Sequence, residues 1–389
     1  MPDPLEQLRQ RHDYVLVAVT YPHSWRTGSE FVRQRVRAYA AAGLRGVVID
    51  YSPLNVEPPT WHHEPDAEVL SLRHAELPSA LQAAAAGGSP ILAHSPTPEA
   101  IDQLRSCVPS GRLATWFHGY EVRDYRRLHG NTDTYELMSI RHIRDAQNRE
   151  RFRAAKALFA DPGIVKVFMS DVQRRYSEFD VDVAADNFRI IPNFIDTQVY
   201  QARVRTPDEA RRILLLRSFA AHNYAGDVAI KALDLCSRRD GFSDLEITVR
   251  GYGPRFRTAV SEIRRLDNVN VSEGFSRPAQ MAALYDANGI SLVPTRYDTQ
   301  GVMLGEAMAT GAVTITNPVA AIPEFTDTHS SLLPRGNDPR AFADAIWHLV
   351  EHPETMPARS AAAAERVRRQ CGWEATIALE LRLIEELTR

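Results

Sequence analysis

Asp298 and Glu306 are the two residues whose types and spacing offer the most chemistry. Seven residues separate them, and Gly301 lies between. The apolar run ending at Pro294 and the run 312–316 each have the length of a buried strand. Between them, 297–301 has loop composition, and from there to Gly311 the composition is helical. One acid therefore falls on the loop before a helix and the other in its early turns. Amide groups exposed at such a helix start bind anions, here between two carboxylates. The plainer alternative makes Glu306 a partner for the helix dipole and Asp298 a turn residue.

Other polar side chains follow apolar runs, and ligands of open α/β sheets bind beyond the carboxyl ends of strands. His94 follows 91–93, and His118 follows 114–117. Arg217 follows 213–216 and precedes a helix starting near Asp227, a position that suits a diphosphate. Gly251 and Gly253 follow 245–249, where they let backbone approach a nucleotide or form a tight turn. Gly28 and Ser29 precede a helical pattern over 30–42. They can approach a phosphate, although capping explains Ser29 adequately. His62, His63 and Glu64 lie in a Pro- and His-rich stretch, 58–65, that reads as a loop. Adjacent histidines point apart in most backbones, so no metal is expected there.

The stretch 291–324 resembles the signature of glycosyltransferase family 4 in the GT-B superfamily. There an acid, seven residues and a glutamate lead into E-A-M-A-x-G, a strand, and a loop ending I-P-E. The matching residues are Asp298, Glu306-Ala307-Met308-Ala309, Gly311 and Ile322-Pro323-Glu324, with aspartate at 298 in place of the usual glutamate. Ile190-Ile191-Pro192-Asn193 and Asp196-Thr197 resemble the family's passage between domains, although Phe194 replaces a glycine. Arg250-Gly251-Tyr252-Gly253-Pro254 resembles its V-G-x-G-P turn. The resemblance covers 190–389 well and 14–189 in outline.

This resemblance implies an α/β GT-B architecture, with two Rossmann-like parallel-sheet domains facing each other across a cleft. The boundaries would be 1–196 for an acceptor-side domain, 197–370 for a nucleotide-sugar domain, and 371–389 for a helix crossing back. The implied activity is a retaining, metal-independent hexosyltransferase reaction, with a nucleotide-diphosphate sugar as co-substrate and no further cofactor. The acceptor would be a hydroxyl of a glycan, glycolipid or small molecule, in a polysaccharide-type pathway. Asp298, His118 and Arg217 are the implied catalytic set. Glu306, Thr299, Gln300, Gly301, Gly28, Gly251 and Gly253 would bind the donor. A lysine that the family uses near the diphosphate is missing. Lys231 lies too deep in its helix to replace it, which makes His222 the first stand-in. Domain closure would bring His118 and Gly28 onto the donor and exclude water. Two alternatives stand beside this reading: a non-catalytic nucleotide-sugar-binding protein and a related GT-B epimerase.

The elements that must position these residues alternate along the chain. A strand over 14–20, a helix over 30–42 and a strand over 46–51 open a parallel α/β sheet. No G-x-G-x-x-G follows the first strand, which argues against a dehydrogenase-type fingerprint. The arginine-rich stretch 125–151 reads as a solvated loop and helix, and 154–160 with 165–169 as a helix–strand pair. The polar stretch 203–212 suits a linker. Helices are expected over 339–350 and from Trp373 to Leu387. A length of 389 residues admits two or three domains, and a net charge of −3 gives no reason to expect nucleic acid. Cys107, Cys236 and Cys371 have no metal or disulfide spacing, which fits a reducing, cytoplasmic setting. No run of 18 apolar residues exists, while a peripheral contact at the inner face of a membrane stays compatible.

Overall fold

Strands made wholly of buried apolar residues cannot face water on either side, and in this chain they pair in parallel beneath helices. The computed structural model describes residues 3–23, 26, 29–131 and 134–389. Two units divide it: Met1–Tyr125, Ile140–Phe194 and Glu374–Arg389 make the first; Arg126–Ser139 and Ile195–Trp373 make the second.

The first unit carries eight strands: β1 Tyr14–Ala18, β2 Gly46–Asp50, β3 Thr60–Glu64, β4 Ala67–Ser71, β5 Ile91–His94, β6 Leu113–Phe117, β7 Val165–Phe168 and β8 Phe188–Ile190. Their spatial order is 3-4-2-1-5-6-7-8, and every pair is parallel except β3 with β4. Alternate residues of β1 enter opposite cores: Val15 and Val17 join one cluster, Tyr14 and Leu16 the other. The second unit carries β9 Arg212–Ser218, β10 Glu246–Tyr252, β11 Val269–Glu273, β12 Ile290–Leu292, β13 Val313–Ile315 and β14 Ser331–Leu332. Their order is 11-10-9-12-13-14, all parallel.

Each sheet has one place where the chain reverses its direction of travel. In the first unit, β1 has β2 on one side and β5 on the other; in the second, β9 has β10 and β12. Loops leaving the carboxyl ends of such neighbours diverge and open a crevice, the usual ligand position in this class of sheet.

Several expectations from the sequence are corrected. The stretch 58–65 is not simply a loop, because Thr60–Glu64 forms the edge strand β3, a hairpin with β4. Its polar, partly exposed side chains suit an edge, which is why apolar content concealed it. Residues 154–160 are not a separate helix but the end of a 26-residue one, Thr134–Phe159. Its last turns bury Ala154, Ala155, Leu158 and Phe159, whereas 141–147 remain mostly exposed. Ser29 precedes the helix Glu30–Ala41 in a left-handed conformation, and its side chain caps nothing. Ser170, by contrast, accepts a hydrogen bond from the Gln173 amide at 3.1 Å, the capping expected of it. A helix over Met356–Cys371 was not anticipated, and the final helix begins at Ile377.

The stretch 203–212 lies within the second unit, mostly exposed but anchored there by buried Arg205 and Glu209. Arg205 is fully buried and donates to the carbonyls of Tyr285, Asp286 and Thr310, each at 3.0 Å. Those carbonyls close the helices Pro278–Ala287 and Val302–Ala309, where a cation meets the negative end of each dipole. Buried Glu209 receives Arg203 and Arg212 at 2.8 Å. Burial pushes the Glu209 carboxyl up, but these hydrogen bonds outweigh it and hold it well below the usual range. Polar composition here records buried ion pairing at Arg205 and Glu209 and exposure at Arg203, Thr206, Asp208 and Arg211.

Candidate functional site

In the second unit, the site forms where β9 and β12 end. Arg217, near the end of β9, is 3% exposed. Its guanidinium donates to the Pro294 carbonyl at 2.6 Å and to the Tyr224 carbonyl at 3.2 Å, so it stitches together the loops on either side of the crevice. It also lies 5.3 Å over the Tyr224 ring. None of the described carboxylates pairs with it directly. Burial lowers its pKa, the Asp298 charge opposes that, and an arginine remains a cation throughout. This buried positive charge therefore has only neutral hydrogen-bond partners among the described residues, the Met303 sulfur at 3.7 Å included.

The loop after β12 is fixed from beneath. Thr295 donates its hydroxyl to the Asn223 carbonyl at 2.9 Å, and its amide to the buried Asn317 side chain, also at 2.9 Å. Asp298, half-buried, accepts the amides of Gln300 at 3.2 Å and Gly301 at 2.8 Å, both on Oδ1. Turn residue and functional acid are thus compatible roles: one carboxylate oxygen holds the loop, and Oδ2 is left over. Gly301 stands in the left-handed region at φ 84°, where glycine is strongly favoured. The helix Val302–Ala309 starts directly after it. Gln300 is buried and reaches the Cys371 sulfur at 3.5 Å, while Thr299 is half-exposed.

Glu306 sits in the second turn of that helix, buried, and accepts the Tyr200 hydroxyl at 2.9 Å. Burial and the Glu306 charge together push the Tyr285 phenol well up. His222 is half-buried in a short turn before the helix Gly226–Cys236. The missing lysine's neighbourhood holds a different cation, which sequence reading missed. Arg296 grips both oxygens of Asp227, at 2.8 and 2.7 Å, and the His222 carbonyl at 2.7 Å. Burial pushes the Asp227 carboxyl up, but Arg296 outweighs it and holds it low. Asp227 therefore sits paired with Arg296 at this helix start, as Asp298 sits at the start near Gly301. Lys231 points elsewhere, to Asp234 and Glu262.

Gly251 and Gly253 answer to protein packing. A Cβ on Gly251 would lie 2.5 Å from the Arg217 carbonyl oxygen, and one on Gly253 would lie 2.5 Å from the Ala220 amide. Both glycines thus seat the loop that follows Arg217. Beside them, Tyr252 and Phe275 form an exposed edge-to-face pair with centroids 5.5 Å apart. Nothing in their spacing signalled it.

In the first unit, the crevice between β1 and β5 opens into a cavity of about 740 Å³, lined by Thr20, Ser29, Ser95, Glu99, Glu150 and Arg151 among others. Arg151 is buried and donates to the Tyr120 carbonyl and the Asn148 side chain. Close by, Glu121 accepts the amides of His118 and Gly119 at 3.2 and 2.8 Å, which fixes the strand-end loop. His118 and His94 meet at 3.2 Å, and burial followed by the Arg35 charge holds both imidazoles well below their usual pKa. Gly28 lies outside the described residues.

Two mostly parallel α/β sheets, each with its crevice at a reversal of strand order, define the GT-B class of fold. Residues 210–352 match the family described as Glycosyl transferases group 1. Among curated proteins it is similar to D-inositol 3-phosphate glycosyltransferase of Corynebacterium efficiens, 29% identical over 171 residues. That match covers 41% of this chain and 39% of the relative. The Streptomyces coelicolor protein of the same name matches at 28% over 100 residues, 25% of this chain and 22% of the relative. The chain thus spans well under half the length of these relatives. Among solved structures it resembles sucrose-phosphate synthase from Thermosynechococcus elongatus, with TM-score 0.70, 18% identity, and coverage of 97% of this chain and 99% of that one. It also resembles Anabaena HepE in complex with UDP and glucose, with TM-score 0.65, 12% identity, and coverage of 97% and 98%.

Proposed function

We propose that the chain is a retaining, metal-independent glycosyltransferase that moves a hexosyl group from a nucleotide-diphosphate sugar to an acceptor hydroxyl. The observation that carries this reading is Arg217, a buried cation at the ends of β9 and β12 without a direct carboxylate partner among the described residues. A leaving diphosphate supplies the missing negative charge, and a preorganised cation stabilises it most as the bond breaks. The anomeric C–O bond to phosphate breaks with its electron pair going to the diphosphate. The acceptor oxygen bonds to the same face, and its proton passes to a phosphate oxygen. Asp298 faces the sugar through Oδ2, with Thr299, Gln300 and Gly301 at the helix start, and Glu306 serves the ribose hydroxyls. His222 lies beside the diphosphate. No protein nucleophile is assigned.

HepE, a structural neighbour, was solved with UDP and glucose, which makes UDP-glucose the first donor to try. Glu99 and Glu150 line the cavity of the first unit, and Arg151 is already committed there. We therefore read the acceptor as an uncharged polyol or sugar, whether free or on a lipid. Among the described residues no helix is long and apolar enough to cross a membrane. Incubation with a panel of nucleotide sugars, followed by chromatography, tests the reading. One donor should release nucleoside diphosphate and form a glycoside, faster with neutral acceptors than with phosphorylated ones. Binding without turnover, or an epimerised sugar, would overturn it.

A further inference from the structure

Two facing histidine nitrogens share one proton, and their surroundings decide who holds it. His94 Nδ1 lies 3.2 Å from His118 Nε2, with the rings near parallel at 24°. Both rings are neutral near pH 7, since burial and the Arg35 charge disfavour the imidazolium. Two arrangements satisfy the contact. Either His94 carries its proton on Nδ1 and donates, or His118 carries its proton on Nε2 and donates.

The far side of His94 separates them. The residue is 1% exposed, and its Nε2 is buried without a hydrogen-bond partner among the described residues; so is Nη2 of Arg35. In the first arrangement that Nε2 is a lone pair in the field of the Arg35 cation. In the second it is a buried N–H with no acceptor, its positive end in that same field, and the desolvation penalty falls in full. The first arrangement is favoured on both counts. Arg35 cannot drift away from this role. It donates to Glu380 at 2.9 Å, Asn193 at 3.0 Å and the Phe31 carbonyl at 3.1 Å, all from zero exposure. Glu380 in turn accepts the Trp116 indole at 3.2 Å and the Tyr39 hydroxyl at 2.5 Å. Trp116 stacks on His94 at 4.7 Å and 22°, which fixes the plane of the ring.

We infer that His94 is a positioning residue that sets the tautomer of His118, donating from Nδ1 to His118 Nε2 and so placing the His118 proton on Nδ1. In that tautomer the His118 Nε2 is closed to service as a base, and its Nδ1 is a hydrogen-bond donor. What His118 donates to rests on the glycosyltransferase reading; the tautomer does not.

The test needs no turnover, so its failure is distinct from failure of that reading. Protein labelled with ¹⁵N in its histidines is examined at pH 7.5 by long-range ¹H–¹⁵N correlation, with His118→Gln and His94→Phe assigning the two rings. Both rings should show a protonated Nδ1 and an unprotonated Nε2. In His94→Phe, which keeps a ring on Trp116, His118 should shift toward the Nε2-protonated form. An Nε2-protonated His118 in the unaltered protein would overturn the inference, and so would an unchanged tautomer in the variant. If His94→Phe fails to fold, the spectrum of the unaltered protein decides alone.

Discussion

Under the proposed function Asp298 carries two jobs on one carboxylate, and substitutions separate them. Asparagine keeps an Oδ1 able to accept the Gln300 and Gly301 amides but loses the charge. Asp298→Asn should therefore retain the thermal midpoint while losing most glycosyl transfer. Asp298→Ala should lose activity and also about 1–2 kcal/mol of stability, since two loop amides lose their partner. Near-full activity of the asparagine variant would remove Asp298 from the reaction. Arg217→Lys keeps a charge but cannot bridge the Tyr224 and Pro294 carbonyls, so calorimetry should show nucleoside diphosphate binding at least tenfold weaker, about 1.4 kcal/mol. The acid, its spacing and Arg217 were legible because each follows a strong apolar run. The pairing of His94 with His118 and the grip of Arg296 on Asp227 were not, since each joins residues from separate loops.

Elements were legible where burial was one-sided in composition. Every residue of β1 and β6 is apolar or fully buried, and both were found. The hairpin of β3 and β4 was concealed by its edge position, and 203–212 by charges that bind carbonyls in the interior. The glycines at the end of β10 were read as room for a nucleotide or as a tight turn; their tightest neighbours are the Arg217 carbonyl and the Ala220 amide. Gly253→Ala tests that directly. At φ 118°, with a backbone atom 2.5 Å from the new Cβ, it should destabilise by at least the ~1–3 kcal/mol of backbone strain alone. Unchanged denaturant midpoints would return that glycine to a ligand role.

At the scale of the whole chain, the alternation of strand and helix announced two α/β units, while no local pattern shows which distant side chains complete each core. Glu380 is the clearest case. It neutralises Arg35 at zero exposure, and Glu380→Ala should cost about 3–5 kcal/mol by stranding a buried charge. His94 and His118 give the first unit a pH dependence of definite sign. Their folded pKa values lie below the unfolded 6.5, so the unfolded chain takes up protons first as pH falls. The stability they contribute is complete above about 6.5 and declines below it. Tm should therefore drop between pH 7 and 5, less steeply in a His94→Phe, His118→Gln double variant; equal slopes would refute this. The Arg35–Glu380 pair spans 345 residues of chain. At ribosomal speeds of about 5–20 residues per second, a nascent chain exposes Arg35 roughly 17–70 s before its counter-charge has been synthesised. The first unit thus reaches its final charge balance only after the second unit has been synthesised.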